Sequence, residues 1–211
     1  MLGVSSIVLL GLGLLYVATM SQTGDAVAEM AATDQATGAF ADMEFSVRNA
    51  VLCDLVTLNG VTALRCKMPS VEVDLNGDGT PESYAPASFD AFGCEKYALG
   101  KRVWYYLADS TGVFGTTGTT LWRSVTTSDT NPTASSVDLA WSCRYGVATA
   151  PRFTLVKTFA PTVDATNLLV SLSLTVEGVD YASHRAATGD SNAQRRGVTL
   201  LAQTFWGSWR T

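Results

Sequence analysis

The sequence predicts an α+β fold: a long N-terminal α-helix, an apolar stalk followed by an amphipathic half, packed on a mainly antiparallel β-sheet domain. Three observations predict it. Residues 1–20 read MLGVSSIVLLGLGLLYVATM and carry no charged side chain; the first charge is Asp25. From Asp25 onward apolar residues recur at Val27, Met30, Ala31, Phe40, Met43, Val47, Val51 and Leu55, with spacings of three and four that gather them on one helix face. After Leu55 the texture changes to short stretches rich in Val, Thr, Tyr and Trp, joined by segments dense in Gly, Ser and Thr.

Taken in order, the first element is the apolar run. About 20 residues of helix rise about 30 Å, enough to cross a hydrocarbon core or to form the buried centre of a helical assembly. No Lys or Arg precedes Arg48, so the basic n-region of a secretory signal and the basic flank of a simple membrane anchor are both missing. A chain already trimmed of a short basic leader, with Met1 as its first residue, fits that pattern. No proline interrupts before Pro69, and a helix continuing to Leu55 would be about 80 Å long. Gly11, Gly13, Gly24 and Gly38 weaken it by roughly 1 kcal/mol each relative to Ala. The expected organisation is a stalk helix over 1–24, its amphipathic continuation over 25–55 and a β-rich head over 56–211.

The head begins with a loop, Thr57–Ala63, marked by the turn signal Asn59-Gly60. Expected strands are Val71–Asp74, Ser83–Ala85, Arg102–Ala108, Thr119–Val125, Val137–Tyr145, Phe153–Phe159, Leu168–Val176 and Val198–Thr204. Leu168–Val176, LLVSLSLTV, alternates leucine and serine as a strand with one buried and one wet face does. Thr116–Thr120 and Ser124–Ser136 read as exposed loops. The net charge of −5 and the absence of a basic run beyond Arg195-Arg196 argue against nucleic acid as the main ligand.

One motif carries sharp chemistry. Asp74, Asn76 and Asp78 alternate along a turn, Gly79 follows, Thr80 offers a backbone carbonyl and Glu82 a carboxylate. That is the first part of a calcium loop, in which a tight turn converges alternate side chains on one ion. The twelfth position is Ala85 rather than Glu, so a full EF-hand is excluded. The competing reading is a hairpin turn rich in Asp and Asn. Calcium is the one candidate ion, and no cofactor is required. The cysteines Cys53, Cys66, Cys94 and Cys143 contain no CxxC pair, which disfavours zinc; an even count outside the cytoplasm reads as two disulfides. Cys53–Cys66 with Cys94–Cys143 is the preferred connectivity. The single histidine, His184, stands without a GxSxG or other nucleophile motif, and Glu177, Asp180 and Asp190 resemble surface charges. No enzyme is expected. The aromatics Trp104, Tyr105, Tyr106, Trp122 and Trp141 read as core, and Phe205, Trp206 and Trp209 as a last strand or a subunit contact.

The uncharged run 1–20 and its amphipathic continuation to Leu55, followed by the sheet-like segments Val71–Tyr84 and Val103–Arg123, resemble the type IV pilin and type II secretion pseudopilin superfamily, in its larger, minor-pilin-like branch. The resemblance implies a leader removed by a prepilin peptidase, methylation of the new N-terminus at Met1, residence in the inner membrane before assembly, and then a cell-surface filament of copies of the chain or other pilins, raised by a pilus assembly machinery. Met1, Ser5, Leu9 and Leu12 would lie in the packed filament core. Most members carry glutamate at the fifth position, where this chain has Ser5; tip-type minor subunits also lack it. Three roles follow. The first is a structural filament subunit, assembled by burying its N-terminal apolar helices against one another. The second is a minor or tip pilin, or pseudopilin, acting as an adhesive or assembly-priming binding module. The third, an anchored enzyme, lacks any catalytic constellation.

Overall fold

A computed structural model describes residues 2–77, 83–139, 141, 154–178 and 196–205. Side chains within helix α1 (Leu2–Asn49) are described from Tyr16 onward, with gaps. Twelve strands follow among these residues. The first sheet has the order β1-β2-β7-β8, formed by β1 (Leu52–Leu58), β2 (Val61–Pro69), β7 (Leu99–Ala108) and β8 (Thr120–Thr126), with every neighbour antiparallel. Two short hairpins lie between β2 and β7 in the chain. They are β3 (Val71–Val73) with β4 (Ser83–Ala85), and β5 (Ser88–Phe89) with β6 (Glu95–Lys96). In the second sheet β11 (Leu169–Gly178) is central. β12 (Arg196–Phe205) pairs one edge; β9 (Thr154–Phe159) and β10 (Thr162–Asp164) lie end to end along the other. A hydrogen bond from Val156 N–H to the Thr119 carbonyl, 3.1 Å, links the two sheets.

The expected α+β class, organised around a stalk helix, is corrected to a mainly β fold. Strands supply most of the described core, and among the described side chains of α1 the buried ones begin at Ala36. Among the described residues no helix is long and apolar enough to cross a membrane. The expected transmembrane stalk over 1–24 has no such counterpart, and the expected location in the inner membrane and then in a cell-surface filament, which rested on it, falls with it.

The helix also stops earlier than expected, at Asn49 rather than Leu55. Arg48 sits in the last turn, where a cation suits the helix dipole. Asn49 Nδ2 donates to the Phe45 carbonyl at 2.8 Å and Ala50 N–H to that of Val47 at 3.2 Å. Val51 N–H then bonds the Lys67 carbonyl at 2.8 Å and the chain enters β1. Val47, Val51 and Leu55 mimic a helical repeat, but beyond Asn49 the burial has a period of two: Val51 and Cys53 are buried while Leu52 is exposed. The segment read as a loop is the turn of a β1–β2 hairpin. Asn59 (φ 50°) and Gly60 (φ 81°) both take left-handed conformations, as a two-residue hairpin turn requires.

The main core lies between α1 and both sheets. Phe40, Met43 and Val47 of the helix meet Leu64 and Met68 of β2, Val103 and Tyr105 of β7, and Val170, Leu172, Leu174 and Val176 of β11. The alternation read in LLVSLSLTV sets the two faces of β11: Val170, Leu172, Leu174 and Val176 face inward, and Ser171, Ser173 and Thr175 face out. A second cluster covers the opposite face of the first sheet, with Trp104, Tyr106 and Trp122 packed around Phe114. Phe114 lies 5.9 Å from the ring of Trp104 and 5.1 Å from that of Tyr106. The aromatics of β7 and β8 are therefore core.

Candidate functional site

Three regions bear on function: the exposed part of α1, the Asp74 turn and an ion cluster on the first sheet. On α1, Tyr16, Val17, Met20, Val27 and Met30 are exposed although apolar. At about 100° per residue, Tyr16, Met20, Val27 and Met30 fall within an arc of about 80°. The residues that pack on the domain, Ala36, Phe40, Met43 and Val47, project from roughly the opposite side of the helix by the same count. Thr23 lies within the exposed arc. Its hydroxyl donates to the Thr19 carbonyl at 2.8 Å, so its bond is made within the helix. The helix thus carries one apolar stripe packed on its own domain; before Ala36 the described apolar side chains, Val17 included, are exposed, and four of them share one arc. Of the residues expected in a filament core, Ser5, Leu9 and Leu12 fall in the backbone of α1; their side chains, and all of Met1, lie outside the described residues.

The Asp74 loop is described in part. Asp74 Oδ1 accepts the Gly77 N–H, three residues on, at 2.6 Å, and Val71–Val73 pairs with Ser83–Ala85 on either side. The segment lies between two paired strands, an arrangement that both readings of it share. Asp78, Thr80 and Glu82 lie outside the described residues. Among the described residues no group of three or more His, Cys, Asp or Glu side chains is placed to hold a metal.

The expected disulfides are corrected. Cys53 and Cys66 are directly opposed across β1 and β2, both are buried, and their sulfurs are 3.8 Å apart in a thiol hydrogen bond. Facing Cys66, and shielded from water, Cys53 has its thiol pKa pushed far above the ordinary range, first by that hydrogen bond and then by burial. Both groups act as small core residues. Cys94 is exposed and free, and Cys143 lies outside the described residues, as do His184, Asp180 and Asp190.

Sequence reasoning missed the ion cluster. Asp54 of β1, Arg65 and Lys67 of β2 and Arg102 of β7 stand on one face of the sheet, because Asp54 pairs with Arg65 and Lys67 with Arg102 in register. Arg65 makes a two-pronged bond to Asp54, at 2.7 and 2.5 Å, which raises its guanidinium pKa, and lies 5.1 Å over the Trp104 ring. Asp129, from the loop after β8, drops its carboxylate among the cations. Its Oδ1 takes Arg102 Nε at 2.9 Å and faces Arg65 Nη1 at 3.5 Å; its Oδ2 takes Lys67 Nζ at 3.0 Å. Hydrogen bonds from Arg102 and Lys67 hold the Asp129 carboxyl well down, at about 2. Alternation of Arg65 and Lys67 along a strand was a visible signal; Asp129, inside a Ser/Thr-rich loop, gave none.

Comparison of the chain with protein-family models, with curated proteins and with solved structures finds no match.

Proposed function

We propose that the chain is a pilin-like structural subunit that associates with copies of itself, or with related subunits, into a filament through α1. The observation that supports this reading is the exposed apolar stripe Tyr16, Met20, Val27 and Met30, on the side of the helix turned away from the domain. Apolar area left in water favours burial at roughly 25 cal/mol per Å², and a stripe on a helix is buried most simply by a second helix carrying the same stripe. Repetition of one such contact without closure builds an open helical array. Under this reading Ser5, Leu9 and Leu12 extend the contact toward the N-terminus, and the domain forms the outer surface.

A second reading, a minor or tip subunit that binds a target, is supported by the β5–β6 hairpin. It presents Phe89 and Phe92 to solvent, the latter 92% exposed, with Asp90 accepting the N–H groups of Phe92 and Cys94 at 2.8 Å each. Electron microscopy of the concentrated full chain tests the first reading. Thin fibres are expected, lost in Met20→Asp/Val27→Asp, a variant whose changes are on the surface. A chain that stays dispersed at every concentration, or fibres unaffected by the variant, would contradict it.

A further inference from the structure

We propose that Arg65, Lys67 and Arg102, with the hollow beside them, form a binding site for a carboxylate carried on a polyhydroxylated body, that is, an acidic sugar, which exchanges with Asp129. The proposal does not depend on self-association through α1.

The cations carry the first part of the argument. Arg65, Lys67 and Arg102 keep only 13, 11 and 14% of their side-chain surface in water, against 49% for Asp129. Shielded cations demand an anion, and here three cations meet two carboxylates, Asp54 and Asp129. Asp54 belongs to a strand and is locked by both prongs of Arg65. Asp129 belongs to a loop and is half in solvent, so it is the exchangeable partner. The donors also define the anion's shape. One oxygen of Asp129 is taken by Arg102 and the other by Lys67, so the cradle offers separate donors to the two oxygens of a planar carboxylate.

The hollow carries the second part. It has a volume of ≈ 360 Å³ and is lined by Thr126, Thr127, Thr130, Asn131, Thr133 and Ser136, among others. Thr126 and Thr130 bond to Ser128, Thr133 to Ser135, and Ser136 to the Thr133 backbone; exchanging these local bonds for sugar hydroxyls is possible because hydroxyl and amide groups both donate and accept. The cradle lies beside the hollow without lining it: Arg102 Nη1 donates to the carbonyl of Thr127, a lining residue, at 3.4 Å, and Trp104, under the Arg65 guanidinium, donates from Nε1 to Thr126 Oγ1 at 2.9 Å. In this arrangement Asp129 is an internal occupant. Being tethered, it competes at high effective concentration, which makes the ligand weak in the natural chain and stronger once Asp129 loses its charge.

The test is a titration of the full ¹⁵N-labelled chain with glucuronate, and separately with neutral glucose, followed by amide shifts. Saturable shifts confined to residues 126–133 are expected with glucuronate and not with glucose, with binding at least about ten-fold tighter in Asp129→Asn. Absence of a saturable glucuronate shift in the natural chain, equal response to glucose, or unchanged affinity in Asp129→Asn would each overturn the proposal. Were Asp129→Asn to unfold, the glucuronate and glucose arms on the natural chain still decide.

Discussion

Tyr105 shows how single side chains tie the helix to the sheet. It is fully buried on β7, its hydroxyl shares a 2.8 Å hydrogen bond with Ser46 of α1, and Trp141 meets its ring edge-on at 5.5 Å. Trp141 in turn donates from Nε1 to Asp42 of α1 at 2.7 Å. Burial raises the Tyr105 phenol above its ordinary range, so it stays protonated and can donate. Tyr105→Phe leaves Ser46 buried without this partner and is expected to cost about 1–3 kcal/mol in urea unfolding; no measurable loss would show that the bond contributes little. At Asp129 the effect is one of pH. Its carboxyl is held at about 2 in the folded chain, below the roughly 3.9 of an unfolded aspartate. Its contribution is therefore present above that unfolded value and is lost as pH falls through the folded one. The melting temperature of the natural chain should exceed that of Asp129→Asn at pH 6, and the gap should close between about pH 4 and pH 2. A gap that does not depend on pH would remove the charge from the explanation.

At the scale of elements, the β1–β2 hairpin is the clearest case of local chemistry directing structure. Gly60, at φ 81° with nothing near its missing Cβ, is there for conformation and not for space. Gly60→Ala is expected to cost about 1–2 kcal/mol, read as a lower urea midpoint with unchanged slope. The Asp74 turn is the other local motif. If it takes calcium as the sequence pattern expects, chelation lowers the melting temperature of the full chain; identical melts with and without calcium would leave a plain hairpin turn. Much of the sheet was legible: β4, the body of β7 and β8, and β11 with its alternating leucines stand close to where the pattern put them. The hairpin's strands were not, because Val47, Val51 and Leu55 keep a four-residue spacing across the point where the helix ends. The change is marked by pairing between residues far apart in sequence, beginning with the backbone bond from Val51 to Lys67. The ion cluster was hidden for the same reason, since its members come from β1, β2, β7 and a loop, and pairing register alone brings them together.

For the whole molecule, the helix and the two sheets divide the work. The C-terminal part of α1 closes the core between the sheets, so removing it would expose Leu64, Tyr105, Leu172 and Leu174 together. The part before Ala36 adds no described side chain to that core and carries apolar residues in solvent. The reading of the uncharged N-terminal run as a membrane crossing was overturned, because hydropathy alone does not say what will cover an apolar surface. The central claim is that another copy covers it. Sedimentation velocity of the full chain over a hundred-fold concentration range tests this most directly, run beside Met20→Asp/Val27→Asp with circular dichroism to check folding. The natural chain is expected to form species that grow with concentration while the folded variant remains monomeric. A natural chain that sediments as a monomer throughout, or a variant that assembles equally well, would contradict the claim.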